Sequence, residues 1–327
     1  MPIVSVVQNE NVQQAVQEAI GLLGGIESFV HPNDEVIIKP NLVFALPSDT
    51  GFTTDPGVVQ AIIELCRTAN SSDVSIAEAS SGSETTTTAF ENCGYSELAR
   101  KFGVKLVDLN ESPTTTVEIP GGKSLHDLRV PTIILESDVL INVPKLKLYR
   151  HSPGKRDWAS LSVKNLMGAV PGKGVYSHSK PSEFPIKVSP AFWTPEGKLF
   201  HPHHQPWWSP RGEKKRIHAN LAEGIVDLNT VIQPTLNIID AMIISQDVDM
   251  RESKGESILK LNTILASTDR LALDCIATKI AGLDPFNISY LKCAAERGIG
   301  ESDYKNIQTV GTPFEDIAST WEKGLED

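Results

Sequence analysis

Short apolar runs alternate with longer amphipathic stretches through the first half of the chain, the pattern of strands exchanging with helices around a buried sheet. EVIIKPN at 35–41, DVSIAEAS at 73–80, VKLVDL at 104–109 and DVLINVP at 138–144 read as strands. Their consecutive apolar positions suit strands covered on both faces. Between the first two, TTDPGVVQAIIELCRTAN offers Thr54 or Asp55 as a cap and Pro56 in the first turn. Val58, Val59, Ile62, Ile63 and Leu65 give it an apolar helical face. Such a helix returns the chain for a parallel pairing, through a right-handed crossover. TTTTAFENCGYSELARKFG is a second helical stretch capped in its threonine run, and NESPTTTVEIPGGKSLHDLRV at 110–130 suits a small hairpin at the sheet edge.

The alternation fails between 171 and 216, a proline-rich segment that holds Trp193, Trp207 and Trp208 with His178, His201, His203 and His204. Aromatic residues at that density argue against simple disorder and point to a lid or a binding insertion. Beyond it, HANLAEGIVDLNTVIQ has helical spacing through Leu221, Ile225 and Leu228, and TLNIIDAMI and NTILASTD read as buried strands. DRLALDCIATKIAGL is a helix closed by Gly282. The fold expected is α/β: a mostly parallel sheet with helices on both faces and a long irregular His/Trp-rich insertion. Residues 1–327 read as a single domain, with 171–216 a lid or insertion within it.

Charge narrows the partners. Thirty Lys and Arg against 41 Asp and Glu give a net charge of −11. That balance repels a phosphate backbone at long range and argues against sequence-independent nucleic-acid binding. No basic-then-apolar leader opens the sequence and no apolar run approaches spanning length, so no membrane partner and a cytoplasmic location are expected. Cys66, Cys93, Cys275 and Cys293 are too far apart for a zinc ribbon or iron–sulfur cluster and read as reduced structural thiols.

Against this acidic background the strand ends stand out. IIKPN delivers Lys39 and Asn41, INVPKLK delivers Lys145 and Lys147, and NIIDAM delivers Asp240. Ligands of open parallel sheets bind beyond the carboxyl ends of the strands, where these groups would meet. A lysine at a partly buried strand end needs an anionic partner, either a carboxylate of the protein or a bound anion. SLSVKNLMGAVPGKG adds Lys164 and Asn165, with Gly168 able to expose backbone amides. The Walker pattern G-x-x-x-x-G-K-[ST] is absent, which argues against nucleotide hydrolysis of that design. His178, His201, His203, His204 and His218 are candidate ligands for a divalent metal, or solvated loop residues. His218 and Asp227 fall on one predicted helix, each able to point into a cleft.

VIIKPNLV, TTDPGVVQAIIEL, ENCGYSELARKFGVKLVDL, SDVLINVPKLK, SVKNLMGAVPGK, LAEGIVDLN, NIIDAM and STDRLALDCIATKIAGLDP occur in that order. With them the chain resembles the domain-of-unknown-function family 362 (DUF362) over nearly its whole length. The resemblance implies fold more than activity. Members often carry a ferredoxin-like iron–sulfur module, which implies redox roles, and this chain lacks its cysteine run. The Gly-rich loop that the family places after the DAM strand is replaced by DAMIISQDVDMRESKGE. A remoter similarity, to the N-terminal α/β unit of nickel-dependent lactate racemases, implies a small carboxylate ligand by analogy.

The function expected is therefore an enzyme, a metal-dependent oxidoreductase or isomerase, acting on a small anionic, carboxylate-bearing substrate by metal-assisted redox or proton-transfer chemistry. Lys145, Lys147, Lys164 and His178 would be catalytic, and Lys39, Asn41, Asn165, Trp207 and Trp208 would bind substrate. Iron is the favoured metal, held by residues drawn from His178, His201, His203, His204 and His218. The alternative is a non-catalytic ligand- or metal-binding module, or an electron-transfer accessory protein. Lysines poised for a ligand should matter little to folding, so Lys145→Ala and Lys147→Ala are expected to spare stability.

Overall fold

The computed structural model describes residues 1–81, 85–149, 158–172, 174–176, 208–210, 212–245 and 258–323. Its strands are β1 (Ile3–Gln8), β2 (Glu35–Lys39), β3 (Asp73–Glu78), β4 (Lys105–Asp108), β5 (Thr114–Glu118), β6 (Asp127–Pro131), β7 (Val139–Asn142), β8 (Lys145–Tyr149), β9 (Trp158–Ser160), β10 (Gly174–Tyr176), β11 (Trp208–Pro210), β12 (Leu236–Ser245), β13 (Ile258–Ser267) and β14 (Gln308–Gly311). The helices are α1 (Val12–Gly21), α2 (Pro56–Thr68), α3 (Thr86–Asn92), α4 (Tyr95–Phe102), α5 (Thr132–Glu136), α6 (Ser162–Asn165), α7 (Gly212–Ala219), α8 (Leu221–Val231), α9 (Arg270–Ile280), α10 (Ser289–Glu296) and α11 (Phe314–Lys323).

The main sheet runs β14-β1-β13-β12-β7-β2-β3-β4. Of these strands β13 alone runs antiparallel to its neighbours, β1 and β12. Every other neighbouring pair in that order is parallel. Carboxyl ends therefore gather at one edge.

The period of two sorts side chains between the layers. Val36 and Ile38 of β2, Val139 and Ile141 of β7 and Ile264 of β13 face a core shared with α1, α2 and α4. Ile37, Leu140 and Leu265 face a second core shared with α8, α9 and α10. Burial on both faces explains why these strands carry unbroken apolar runs.

Local signals set the helix starts. Asp55 caps α2 by accepting from Gly57 N at 2.7 Å, with Pro56 in the first turn. Thr85 caps α3 through Thr88 N at 2.9 Å, and Asp269 caps α9 through Leu271 N and Ala272 N.

Two expectations are corrected. The 110–130 segment does form a hairpin, β5–β6, but as its own two-stranded sheet and not along the main sheet's edge, which β4 occupies. The stretch after His218 is also not one helix. Asn220 leaves helical geometry (φ −142°, ψ 86°) between α7 and α8, so His218 and Asp227 belong to different helices. Asn is a common breaker, because its amide competes for the backbone. Most of 171–216 lies outside the described residues; β10 and β11 pair antiparallel within it.

Candidate functional site

After β7 the chain kinks at Pro144 and resumes as β8, still parallel to β12, with Lys145 opposite Asp240. Alternation then separates β8 cleanly. Leu146 and Leu148 enter the apolar core of α8 and α9, while Lys145 and Lys147 take the positions between them. Lys145 Nζ meets Asp240 Oδ2 at 2.9 Å with both side chains fully buried. A buried pair holds only if its remaining acceptor sites are satisfied. Asp240 meets that condition, taking Asp55 N at 2.7 Å and Met242 N at 2.9 Å. Burial and the nearby Asp240 push the Asp55 carboxyl above the usual range.

One strand over, Lys39 at the end of β2 donates to Glu78 Oε2 at the end of β3 (2.9 Å) and to Pro40 O (2.7 Å). Glu78 also accepts from Leu42 N at 3.1 Å and Ala79 N at 2.8 Å. This pair runs directly beneath Gly168. A Cβ there would lie 2.6 Å from Lys39 Nζ and would overlap Glu78 Oε1, so any larger residue at 168 would have to displace this ion pair.

Lys147 is held differently. Its Nζ donates to Asn41 Oδ1 at 2.6 Å and to Phe52 O at 3.0 Å. From Asn41 a file of carboxamides crosses the sheet edge: Asn41 Nδ2 to Asn165 Oδ1 (2.7 Å), Asn165 Nδ2 to Asn142 Oδ1 (2.8 Å), Asn142 Nδ2 to Asn237 Oδ1 (2.9 Å). Asn237 Nδ2 ends the file on Ser267 O at 3.4 Å. A backbone carbonyl can only accept, so the file has one direction and presents an oxygen to Lys147.

Lys164 and Asn165 sit on α6, a single turn fixed by a residue far along the chain. Asp274, buried in α9, accepts from Ser162 N at 2.8 Å and Val163 N at 2.9 Å. Lys214, from the first turn of α7, reaches Ala79 O. That turn is anchored by Glu213, which takes Arg129 Nε at 2.9 Å and Arg216 Nη1 at 2.7 Å. Five lysines from four segments, β2, β8, α6 and α7, thus meet around Glu78 and Asp240.

Their electrostatics follow from burial and mutual crowding. Burial, then the charges of Lys164, Lys145 and Lys39, push Lys147 well below the ordinary lysine value, with Glu78 opposing. Burial brings Lys164 to about 8 and Lys214 to about 8, and lowers Lys39 against the pull of Glu78. Lys39, Lys145, Lys147 and Lys214 are all buried, whereas Lys164 is partly exposed. The cluster meets the surface there.

The structure gathers Lys39, Asn41, Lys145, Lys147, Lys164 and Asn165 at one edge. It brings in Glu78, Asn142, Lys214, Asn237 and Asp274, which sequence reasoning missed. The signals were polar residues inside apolar runs: Asn142 in VLINVP, Asn237 in TLNIID and Asp274 in LALDC. Lys214 gave none, because GEKKR reads as a solvated charge run. Asp227 points into no cleft. It clasps the 123–125 turn through three backbone N–H groups and takes Arg297 Nη1 at 2.6 Å. Burial would raise its carboxyl, but those donors hold it below the usual range.

His178, His201, His203, His204, Trp193 and Trp207 lie outside the described residues, as does the side chain of Trp208. His218 Nδ1 contacts Lys214 O at 2.7 Å within α7. Among the described residues no group of three or more His, Cys, Asp or Glu could hold a metal, and no helix is long and apolar enough to cross a membrane. The four cysteines are free and buried, each pushed up to about 12 by burial first. A cavity of about 240 Å³ bordered by Ile134, Asp138, Leu140 and Thr235 lies at the opposite, amino edge, away from the lysines.

Known proteins share parts of this chain. It is 25 % identical over 299 residues to a thylakoid-associated protein of Synechocystis sp., covering 91 % of this chain and 79 % of that one. It is similar to the lactate racemase apoprotein of Thermoanaerobacterium thermosaccharolyticum, with 12 % identity and a TM-score of 0.43. That match covers 86 % of this chain and a little over half, 57 %, of the racemase. The family model described as domain of unknown function (DUF362) matches residues 36–279. Those residues run from β2 to the last turn of α9 and include every lysine of the cluster, so the chain belongs to the DUF362 family.

Proposed function

We propose that the lysine cluster binds a small carboxylate-bearing anion at the carboxyl edge of the sheet and moves a proton on it. The observation that supports this is an imbalance. Among the described residues Lys39, Lys145, Lys147 and Lys214 converge on two directly paired carboxylates, Glu78 and Asp240, in a setting where unmatched charge is expensive. A bound carboxylate offsets that excess. Lys164, brought to about 8 and partly exposed, is the group suited to meet the ligand and to give or take a proton near neutral pH. The Lys145–Asp240 and Lys39–Glu78 pairs form a rigid floor beneath this group, and Lys214 adds positive charge beside it that stabilises negative charge developing on the ligand.

A metal-assisted redox version of this chemistry would draw on the His178–His204 segment and on iron. Metal analysis of the purified protein, with and without replacement of His178, His201, His203 and His204 by Ala, tests that version separately. Calorimetric titration with lactate, pyruvate and acetate tests the anion reading. Lys164→Met should weaken binding by about 1.5–3 kcal/mol, the scale of a charge-assisted hydrogen bond. Equal affinity in the folded variant would remove the site from this edge.

A further inference from the structure

Lys147 differs from its neighbours in what it is given to bond. Lys39 and Lys145 each meet a carboxylate, whereas Lys147 meets two carbonyl oxygens, Asn41 Oδ1 and Phe52 O, and among the described residues no carboxylate at ion-pair distance. An ammonium has three N–H groups to place, and a neutral amine has two. Two acceptors match the neutral form, and among the described residues the third N–H of an ammonium would be left beside other lysines at a residue only 2 % exposed.

The two acceptors are also rigid. Asn41 Oδ1 is the end of a file whose direction is fixed by Ser267 O, so it cannot turn to offer Lys147 a donor instead. Asn41 N is pinned to Thr54 Oγ1 at 2.8 Å, and Thr54 Oγ1 in turn donates to Val143 O at 2.8 Å. With both amine hydrogens taken by fixed carbonyls, the nitrogen lone pair occupies the one tetrahedral direction that remains. A desolvated lysine beside other cations is the recognised setting of an amine nucleophile. The lowered proton affinity of Lys147 agrees with that geometry.

We propose that Lys147 forms an imine with the carbonyl carbon of a 2-oxo carboxylate whose carboxylate group is held by Lys164, an inference that rests on the anion reading above and specifies its substrate class. The lone pair of Nζ forms the C–N bond as the carbonyl π pair moves to oxygen. Lys164 gives that oxygen a proton and recovers one from the nitrogen. The carbinolamine then expels its oxygen, and both amine hydrogens leave with it as one water. Amine plus ketone yields imine plus water, with nothing oxidised or reduced. Once protonated, the imine draws electrons from the adjacent carbon and acidifies it, so that a neighbouring base can move a proton there.

The experiment exposes the full chain to pyruvate with sodium cyanoborohydride, then maps the modified peptides by mass spectrometry. Lactate, which has the carboxylate but no carbonyl, is the parallel control, and calorimetry without reductant measures binding of both. The expected result is binding of both anions, with one stoichiometric secondary amine on Lys147 formed from pyruvate alone. Lys164→Gln should slow that labelling by about tenfold or more, the lower end of a lost charge-assisted contact. Binding of both anions with no adduct, or with label scattered over surface lysines, overturns the imine and leaves the anion site standing. Binding of neither overturns both. The wild-type peptide map decides without any variant, so a substitution that fails to fold cannot obscure the outcome.

Discussion

Asp227 and Lys147 are both buried ionisable positions, and they are completed in opposite ways. Around Asp227 the count closes: three backbone N–H groups and one guanidinium occupy both carboxylate oxygens. Around Lys147 no carboxylate stands at ion-pair distance among the described residues: two neutral carbonyls face an amine crowded by Lys164, Lys145 and Lys39. Closure marks a group that holds the fold together, here the 123–125 turn against α8. The amine without a carboxylate partner is the feature on which the proposed imine rests.

The largest effect that could break this comparison is expected at the closed site. Asp227→Ala should cost about 3–5 kcal/mol in urea unfolding, the scale for removing one partner of a buried charge network, with pyruvate affinity unchanged in whatever remains folded. An affinity loss would join two regions held here to be separate.

The lysines of β8 should then part company, contrary to the expectation that both spare the fold. Lys145→Met strands Asp240 in the interior and should also cost about 3–5 kcal/mol. Lys147→Met leaves two carbonyl acceptors but strands no carboxylate, and should cost about 1–3 kcal/mol, less than Lys145→Met, while abolishing imine trapping. Paired urea melts decide, and equal losses would make Lys147 structural.

Asp274→Asn is intermediate. It keeps one acceptor for α6 but turns an NH2 toward another N–H, so about 1–3 kcal/mol of stability should be lost. Lys164 and Asn165 would lose their fixed turn, and lactate titration should show weaker binding with Lys164 still present.

The smallest effect is a slope. Lys164 and Lys214 have folded values of about 8, below the ordinary 10.5, so the unfolded chain binds more protons between those limits. Stability should therefore rise with pH from about 8 to about 10.5, by no more than about 1.4 kcal/mol per pH unit for each group. Asp227 works at the other end: its folded value is depressed, so its contribution is present above the ordinary carboxylate value and is lost as pH falls through the folded one. Saturating lactate should flatten the alkaline rise, because a bound anion restores proton affinity to the lysines. Thermal melts across pH with and without lactate measure both.

Periodicity made β2, β3, β4 and β7 legible, and the polar residue closing each apolar run placed Lys39 and Lys145. Direction was not legible, since an antiparallel β13 and a parallel β12 carry the same alternation. Pro144 read as a strand end because proline removes a ladder donor, yet β8 continues past it along β12. Partnerships across the chain left no local trace: that Asp274 would seize α6, or Glu213 aim Lys214, depends on packing that spacing does not encode. The asparagine file was visible only as separate anomalies, each an Asn where an apolar residue would be cheaper.

The place of β1 in the sheet has a consequence for how the molecule is made. β1 is hydrogen-bonded between β13 and β14, and Ser5 Oγ reaches Ala266 O across 261 residues of sequence. At bacterial-like elongation rates of about 5–20 residues per second, that first strand waits roughly 13–52 seconds for a neighbour. During the wait its edges are a template for any other extended segment. Nascent chains should accordingly recruit holdase chaperones until the β12–β13 pair emerges, and deleting residues 1–9 should shorten that engagement even as it weakens the finished sheet.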